Sequence, residues 1–322
     1  MDHPHLGEAI AEHCLLPLDA IFAARDLERI AARSIGQSFQ SYQMGKHLYA
    51  LPLDAAAQVM AYRADKVRSC PVLWSDVICR AETQGDVGLC LAGPHALLCL
   101  MSMACALDPA LDMRDATTWI EPQLCTEAYQ ILQGVYAHAV PGTWELNPIA
   151  MLQAMATEPD IALCPLIYGY VNYSQPPEQT LVRFADAPRT HNSGRPGSIL
   201  GGTGIAISRR ASVSEPLKNH LIWLLSEEAQ RGFIPAHDGQ PSARCAWQDV
   251  ALNEASANFY AATTITLEAA AIRPRLDGYI AFQKEAAALL RAALADGQSG
   301  VRVAQALQNA FTHHCSNQET TS

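Results

Sequence analysis

Tyr168, Tyr170 and Tyr173, with Asn172 among them, form the densest aromatic and polar cluster in the chain. Side chains two apart on a strand share a face, so Tyr168 and Tyr170 are expected to present two rings and two hydroxyls to one side. Rings of this kind stack on small polar molecules while their hydroxyls hydrogen-bond them. The plainer alternative is the edge of a core with its hydroxyls reaching water. Asp54 and Gln58 add a carboxylate and an amide suited to a hydroxylated ligand, although an aspartate in a turn often bonds only its own backbone. Gly202 and Thr203, within the run Gly201-Gly202-Thr203-Gly204, can turn backbone N–H groups toward a ligand. Letting a strand bend is the stronger expectation for them. Arg273 and Arg275 flank Pro274, and either can hold a carboxylate through two parallel hydrogen bonds; a solvated, charged helix entry is the commoner role for such residues. His95 and Trp144 follow Pro94 and Thr143 near glycine turns, where packing is the default role and cleft lining the other.

Covalent and metal chemistry find little footing. The chain has no Gly-x-Ser-x-Gly, no His-Glu-x-x-His, no Gly-x-Gly-x-x-Gly and no phosphate-binding Gly-x-x-x-x-Gly-Lys. None of its ten cysteines is spaced Cys-x-x-Cys, so neither a zinc knuckle nor a thioredoxin-type site is expected. His3 with His5, and His313-His314-Cys315, resemble ligand sets in composition only and lie at opposite ends. No cofactor is expected. With 22 Lys+Arg against 32 Asp+Glu, the net charge of −10 gives no basic face for nucleic acid and favours a soluble monomer. Apolar stretches such as Leu91 to Leu107 are broken by Pro94 and His95 and fall short of a membrane span. The opening Met1-Asp2-His3-Pro4-His5 is not a signal peptide, and the cysteine content suits a reducing compartment, so the chain as written reads as cytoplasmic.

The elements that must carry these residues follow from periodicity and caps. Helices are expected at Ser75 to Glu82 with Ser75 as N-cap, Pro94 to Leu107, Glu121 to His138, Asn147 to Ala156, Glu215 to Gly232, Tyr279 to Leu294 and Val301 to Phe311. Asn147 followed by Pro148 is a strong start signal. Strands are expected at His47 to Leu53, Val87 to Ala92, Asp160 to Val171, Val182 to Phe184 and the glycine-rich Leu200 to Ser208. The region from Pro176 to Gly197 reads as loop, and a polar tail follows His314. The alternation of strands and helices predicts an α/β chain with a largely parallel sheet, in two lobes.

Five segments in order resemble the ABC-transporter solute-binding proteins of the maltose-binding type. Leu51 to Arg63 is similar to the first lobe-crossing strand, and Pro71-Val72-Leu73-Trp74 to the helix entry that keeps its aromatic. Gly201 to Ser208 is similar to the returning strand, Trp223 to Gln230 to the helix after it, and Arg273-Pro274-Arg275 with Ala304 to Leu307 to the C-terminal helical segment. The resemblance implies a two-lobed, periplasmic-binding-protein-like α/β fold with a hinge and an interlobe cleft. Crossings are implied near residues 56–62, 198–205 and 260–270. One lobe would comprise 1–58 plus 203–262, its first strands missing because Asp2 to His5 looks like the loop after a third strand. The other would comprise 59–202 plus 263–322. The function implied is enclosure of a small polar solute, sugar-like or an organic acid, by Asp54, Gln58, Tyr168, Tyr170, Asn172, Tyr173, Gly202, Thr203 and Arg273. The partner implied is an ABC permease if a longer form is exported to the periplasm. The alternative is a cytosolic enzyme or metabolite sensor on the same fold, acting on a small acid or thioester through His95, Asp54 or a cysteine. Thr203 stands where many sugar-binding members carry a stacking tryptophan.

Overall fold

A computed structural model describes residues 1–114, 118–174 and 182–315. The strands are β1 (Gln43–Met44), β2 (His47–Leu48), β3 (Ala50–Pro52), β4 (Ala56–Arg63), β5 (Leu163–Tyr168), β6 (Val182–Ala185), β7 (Leu200–Gly201) and β8 (Gly204–Ala206). The first helices are α1 (Leu6–Ala11), α2 (Ala24–Arg33), α3 (Trp74–Gln84), α4 (His95–Leu107), α5 (Pro122–Tyr136) and α6 (Pro148–Thr157). They are followed by α7 (Glu215–Leu224), α8 (Ile234–Ala236), α9 (Arg244–Trp247), α10 (Val250–Ala255), α11 (Phe259–Ala269), α12 (Tyr279–Ala295) and α13 (Gly300–Cys315).

The centre of the molecule is β4, an eight-residue strand whose two faces bury different side chains. Met60 belongs to one buried cluster with α3, α4, α5, α12 and α13; Val59 and Ala61 belong to another with α6, α11 and Trp247. This is the two-residue alternation of a sheet covered on both sides. The helix α4 is apolar all round, with residues Ala96 to Ala106 buried, as a helix inside a core must be. A third cluster joins Leu6, Leu18, Ile30 and Leu51 to Ile207, Leu221 and Leu225. Residues before β4 therefore pack with residues that follow β7.

The sheet is not the parallel one that the alternation of elements predicts. Strand β4 pairs antiparallel with β5, β6 and β7, and β3 pairs antiparallel with β8. Parallel contacts among the described residues are isolated bridges, Leu73 with Arg189, Val87 with Leu163 and Ile199 with Ala271. Strand β4 lies between β5 and β6 and both run against it, so the helices that separate them in sequence do not bring the chain back as a parallel neighbour. Val87 contributes one bridge where the sequence predicts a strand from Val87 to Ala92.

Three passes of backbone are laced together at one level. Ala56 opposes Gly201 and Ala57 opposes Leu200. Leu200 donates its N–H to Ala271, and Ala271 donates to Ser198, each at 2.9 Å. Ser198 Oγ donates to the Gln58 carbonyl at 2.6 Å. The expected crossing segment 260–270 is helical for most of its length as α11, Phe259–Ala269, and Ala271 just beyond it bridges Ile199.

Local caps follow the sequence closely. The Asn147 side chain accepts the Ala150 N–H at 2.9 Å. Ser75 is not an N-cap, because α3 begins at Trp74; Asp76 accepts the N–H of Leu73 instead, at 3.3 Å. The helix expected to reach Gly232 ends at Leu224 and resumes as a π turn, Ala229–Phe233. Of the expected loop Pro176 to Gly197, residues 176–181 lie outside the described residues, as does the polar tail after Cys315.

Candidate functional site

A cavity of about 460 Å³ opens where the three passes meet. Asp54 reaches it from the turn between β3 and β4, and Tyr168 from the end of β5, with Tyr170 just beyond. His95 opens α4, and Arg273 closes the third pass. Asp2 enters from the first residues of the chain, and Gly202 and Thr203 from the bend between β7 and β8.

Arg273 sets the electrostatics. It is 5% exposed, and its guanidinium Nη2 donates to Asp2 Oδ2 at 2.5 Å. Its backbone N–H donates to Nε2 of His3 at 3.1 Å, which makes that nitrogen the acceptor of a neutral imidazole. Burial, then the positive charges of Arg273 and Arg275, hold His3 well below the ordinary histidine range. His95 is pushed down to about 4 by burial and by Arg273, so it too is neutral near pH 7. Its ring meets Tyr168 edge-on, with centroids 5.9 Å apart.

Asp54 is tied to the returning pass. Its carboxylate accepts the Thr203 backbone N–H at 2.6 Å and the Thr203 hydroxyl at 2.9 Å. Burial raises its affinity for a proton despite those two donors. Gly202 has φ +101°, and a Cβ there would lie 2.6 Å from the Asp54 carbonyl oxygen, so both the conformation and the close approach require glycine. At Gly201 a Cβ would lie 2.6 Å from the Tyr168 ring. Gln240 bridges the far wall: its Oε1 accepts the Val171 N–H at 2.9 Å and its Nε2 donates to the Ala55 carbonyl at 3.3 Å.

Three buried polar atoms on cavity residues have no hydrogen-bond partner: Asp2 Oδ1, His95 Nδ1 and Arg273 Nε. His3 Nδ1 lies 3.5 Å from the first, too long for a good bond. Solvent does not reach these atoms, so they lie within the wall; the same holds of Trp74 Nε1, Trp119 Nε1 and Tyr129 OH away from the cavity. No tryptophan among the described residues lines it. Among the described residues no group of three or more His, Cys, Asp and Glu is arranged to hold a metal ion.

No protein-family model matches the chain, and no curated protein matches it in sequence. Solved structures do. A solute-binding protein of an ABC transporter from Agrobacterium radiobacter K84, in complex with ribitol, superposes with a TM-score of 0.75 at 20% identity, over 98% of this chain and 83% of that one. Maltose-bound MalE3 of T. maritima gives 0.75 at 17% identity, over 97% and 83%. A further solute-binding protein, from Agrobacterium vitis S4 with bound D-mannitol, gives 0.72 at 17% identity, again over 97% and 83%. The chain has the two-lobed fold of the ABC-transporter solute-binding proteins.

Within that fold, the expected site residues divide. Asp54, Tyr168, Tyr170, Gly202, Thr203 and Arg273 all line the cavity. Gln58, Asn172 and Tyr173 do not. Gln58 is buried in β4, where its Oε1 accepts the Ser102 hydroxyl at 2.7 Å and its Nε2 points to Cys99 Sγ at 3.6 Å. It lies two residues from Met60 on the same face of the strand, and α4 covers that face. Asn172 is exposed on a short 3-10 turn, Val171–Tyr173, and Tyr173 packs against the second core cluster. The strand expected to run to Val171 ends at Tyr168, and the turn carries the last two side chains elsewhere. Arg275 is buried as well, donating to the carbonyls of Gln40 and Ser41 at 3.1 and 3.2 Å, so it anchors the N-terminal segment and is no solvated helix entry. Trp144 packs on Tyr136. Asp2, Leu98, Asp238 and Gln240 line the cavity without any signal in the sequence that singles them out. Asp238 has a φ of +61°, and Asp238-Gly239 is a turn signal that marks a bend without saying which wall it forms.

Proposed function

We propose that the protein encloses a small hydroxylated solute, a polyol or a sugar of one or two rings, in the cavity at the crossing passes. The observation that carries this reading is the meeting of Asp54, Gln240, Arg273 and the rings of Tyr168 and Tyr170 on one cavity. An alcohol both donates and accepts, so one hydroxyl can accept from a guanidinium N–H and donate to a neighbouring carboxylate oxygen. Tyrosine faces cover the C–H side of such a molecule. The solved neighbours described above hold ribitol, maltose and D-mannitol, which supports the same ligand class. A wall without tryptophan favours a compact polyol over a long oligosaccharide.

The two lobes would divide at the laced passes. The segments up to β3 and after β7 would form one lobe, and the sheet around β4 with α3 to α6 and α11 to α13 the other. Contacts from both would favour a closed form by population shift. In such a role the chain delivers solute to an ABC permease. Capture without chemistry is favoured over an enzyme, because no cysteine among the described residues lines the cavity and His95, held at about 4, is a weak base. Cys99, behind Leu98, has its thiol pushed up to about 12 by burial.

A thermal-shift series of polyols, monosaccharides and disaccharides tests the reading. A ligand at about 100 times its Kd should add roughly 2.7 kcal/mol of stability by mass action. Replacing Tyr168 by Ala should remove most of the response. No stabilisation by any polyol or sugar would overturn the proposal.

A further inference from the structure

One buried amide ties together segments that reach the cavity from distant parts of the chain. Gln230, in the π turn Ala229–Phe233, is fully buried and does not line the cavity. Its Nε2 donates to the carbonyls of Leu53 and Leu224, at 3.2 and 3.0 Å. Its Oε1 accepts the N–H groups of Ser242 and Ala243, at 2.7 and 3.0 Å. Both N–H donors and both lone pairs of the amide are thus taken by main-chain groups. The segments it joins are walls of the cavity. Leu53 precedes Asp54, and Asp54 forms an antiparallel bridge with Pro241. Ser242 lies two residues after Gln240, and its hydroxyl donates to the Pro52 carbonyl at 2.6 Å. Asp54 and Gln240 both line the cavity. Through the Leu224 carbonyl the same clamp is fixed to the end of α7, where Leu221 and Leu225 belong to the third buried cluster.

We propose that Gln230 is a positioning residue for the solute site, setting the placement of Asp54 and Gln240 from behind the wall. This rests on the polyol and sugar reading above. The Asp54 carboxylate and the Gln240 amide move with the backbone that carries them, and hydrogen bonds to a solute weaken steeply as distance and angle drift. Groups that meet a ligand therefore need a second set of residues to hold them in place. Gln230 supplies this at both walls together, because one rigid amide plane meets the turn between β3 and β4 on its nitrogen and the 242–243 backbone on its oxygen. A side chain of similar length without the amide takes a partner from two carbonyls and two N–H groups. Main-chain groups left so must find other partners, and the turn and the 240–243 segment then shift against each other. Two reporters of that shift are built in: the Val171 N–H bonds to Gln240 Oε1 at 2.9 Å, and the Thr203 N–H to Asp54 Oδ1 at 2.6 Å.

Amide hydrogen exchange of the whole chain without solute, and titration calorimetry with ribitol, D-mannitol and maltose, test the inference on Gln230→Met. Ser242→Ala, which takes one bond from the same clamp, carries the test if Gln230→Met does not fold. The Val171 and Thr203 amides should exchange at least roughly tenfold faster, and by a larger factor than the slowest amides of α12 and α13, which report overall stability. Affinity for the solutes that bind the unsubstituted chain, measured well below Tm, should fall roughly tenfold, the worth of about one misaligned hydrogen bond. Ser102→Ala, which breaks another buried side-chain bond away from the cavity lining, should lower stability and leave affinity within about twofold. Faster exchange confined to Ser242 and Ala243, or no greater at Val171 and Thr203 than in α12 and α13, overturns this inference alone, as does an unchanged affinity. If no polyol or sugar binds the unsubstituted chain, the parent reading fails and takes this one with it.

Discussion

At the scale of single residues, the site depends on positions where one atom more is too many. Gly202→Ala places a methyl 2.6 Å from the Asp54 carbonyl in a backbone conformation that L-residues rarely adopt. It should destabilise the protein by about 1–3 kcal/mol in chemical denaturation and weaken solute binding with it. The buried His3 and the half-buried His95 predict a pH response. His95 sits at about 4 and His3 well below its ordinary value in the folded state, against an unfolded value of ~6.5. In that window the unfolded chain binds protons that the folded chain refuses. Stability should therefore fall as pH drops from about 6.5 towards 4, by on the order of 2–3 kcal/mol for His95 alone. Asp54 and Asp186, whose proton affinities burial raises, act in the opposite sense at the acid end. His95→Phe should flatten the slope of Tm against pH between about 6.5 and 4.5; an unchanged slope would show that His95 does not carry it.

At the scale of elements, α4 and β4 are joined by the Ser102–Gln58 hydrogen bond, away from the cavity lining. Ser102→Ala leaves the Gln58 amide oxygen buried without its donor. The cost should be about 1–3 kcal/mol in denaturant unfolding, with solute affinity little changed, since neither residue lines the cavity. A large loss of affinity would place Gln58 in the site after all. This pair also shows what the sequence could and could not tell. Helices with caps and period, such as the Asn147-Pro148 start and the apolar run after Pro94, were legible because their determinants are local. The glycines of the returning pass were legible too, since close approach leaves a mark in residue type. That α4 lies over Gln58 was not, because the docking of a helix on a strand is set by partners far along the chain. Asp238 and Gln240 were invisible for a related reason: they reach the cavity from a turn some 35 residues beyond Thr203, and nothing local says where that turn docks.

At the scale of the whole molecule, the cavity wall is shared by segments that lie far apart in sequence, from Asp2 to Arg273. Hydrogen exchange should report this. Solute should slow exchange at the amides of Thr203, Leu200 and Ala271, which bond across the passes, and leave the α12–α13 pair unaffected. Slowing confined to one pass would argue against a shared seam. The lacing of Ser198, Gln58 and Ala271 has a kinetic consequence. On the proposed reading, these laced residues, which would twist for the halves to part, run beside the cavity without lining it, so release of the solute would wait on strand torsion. Substitutions that stiffen those strands would lengthen residence time without touching a single recognition contact, and faster delivery could be gained by loosening the lacing.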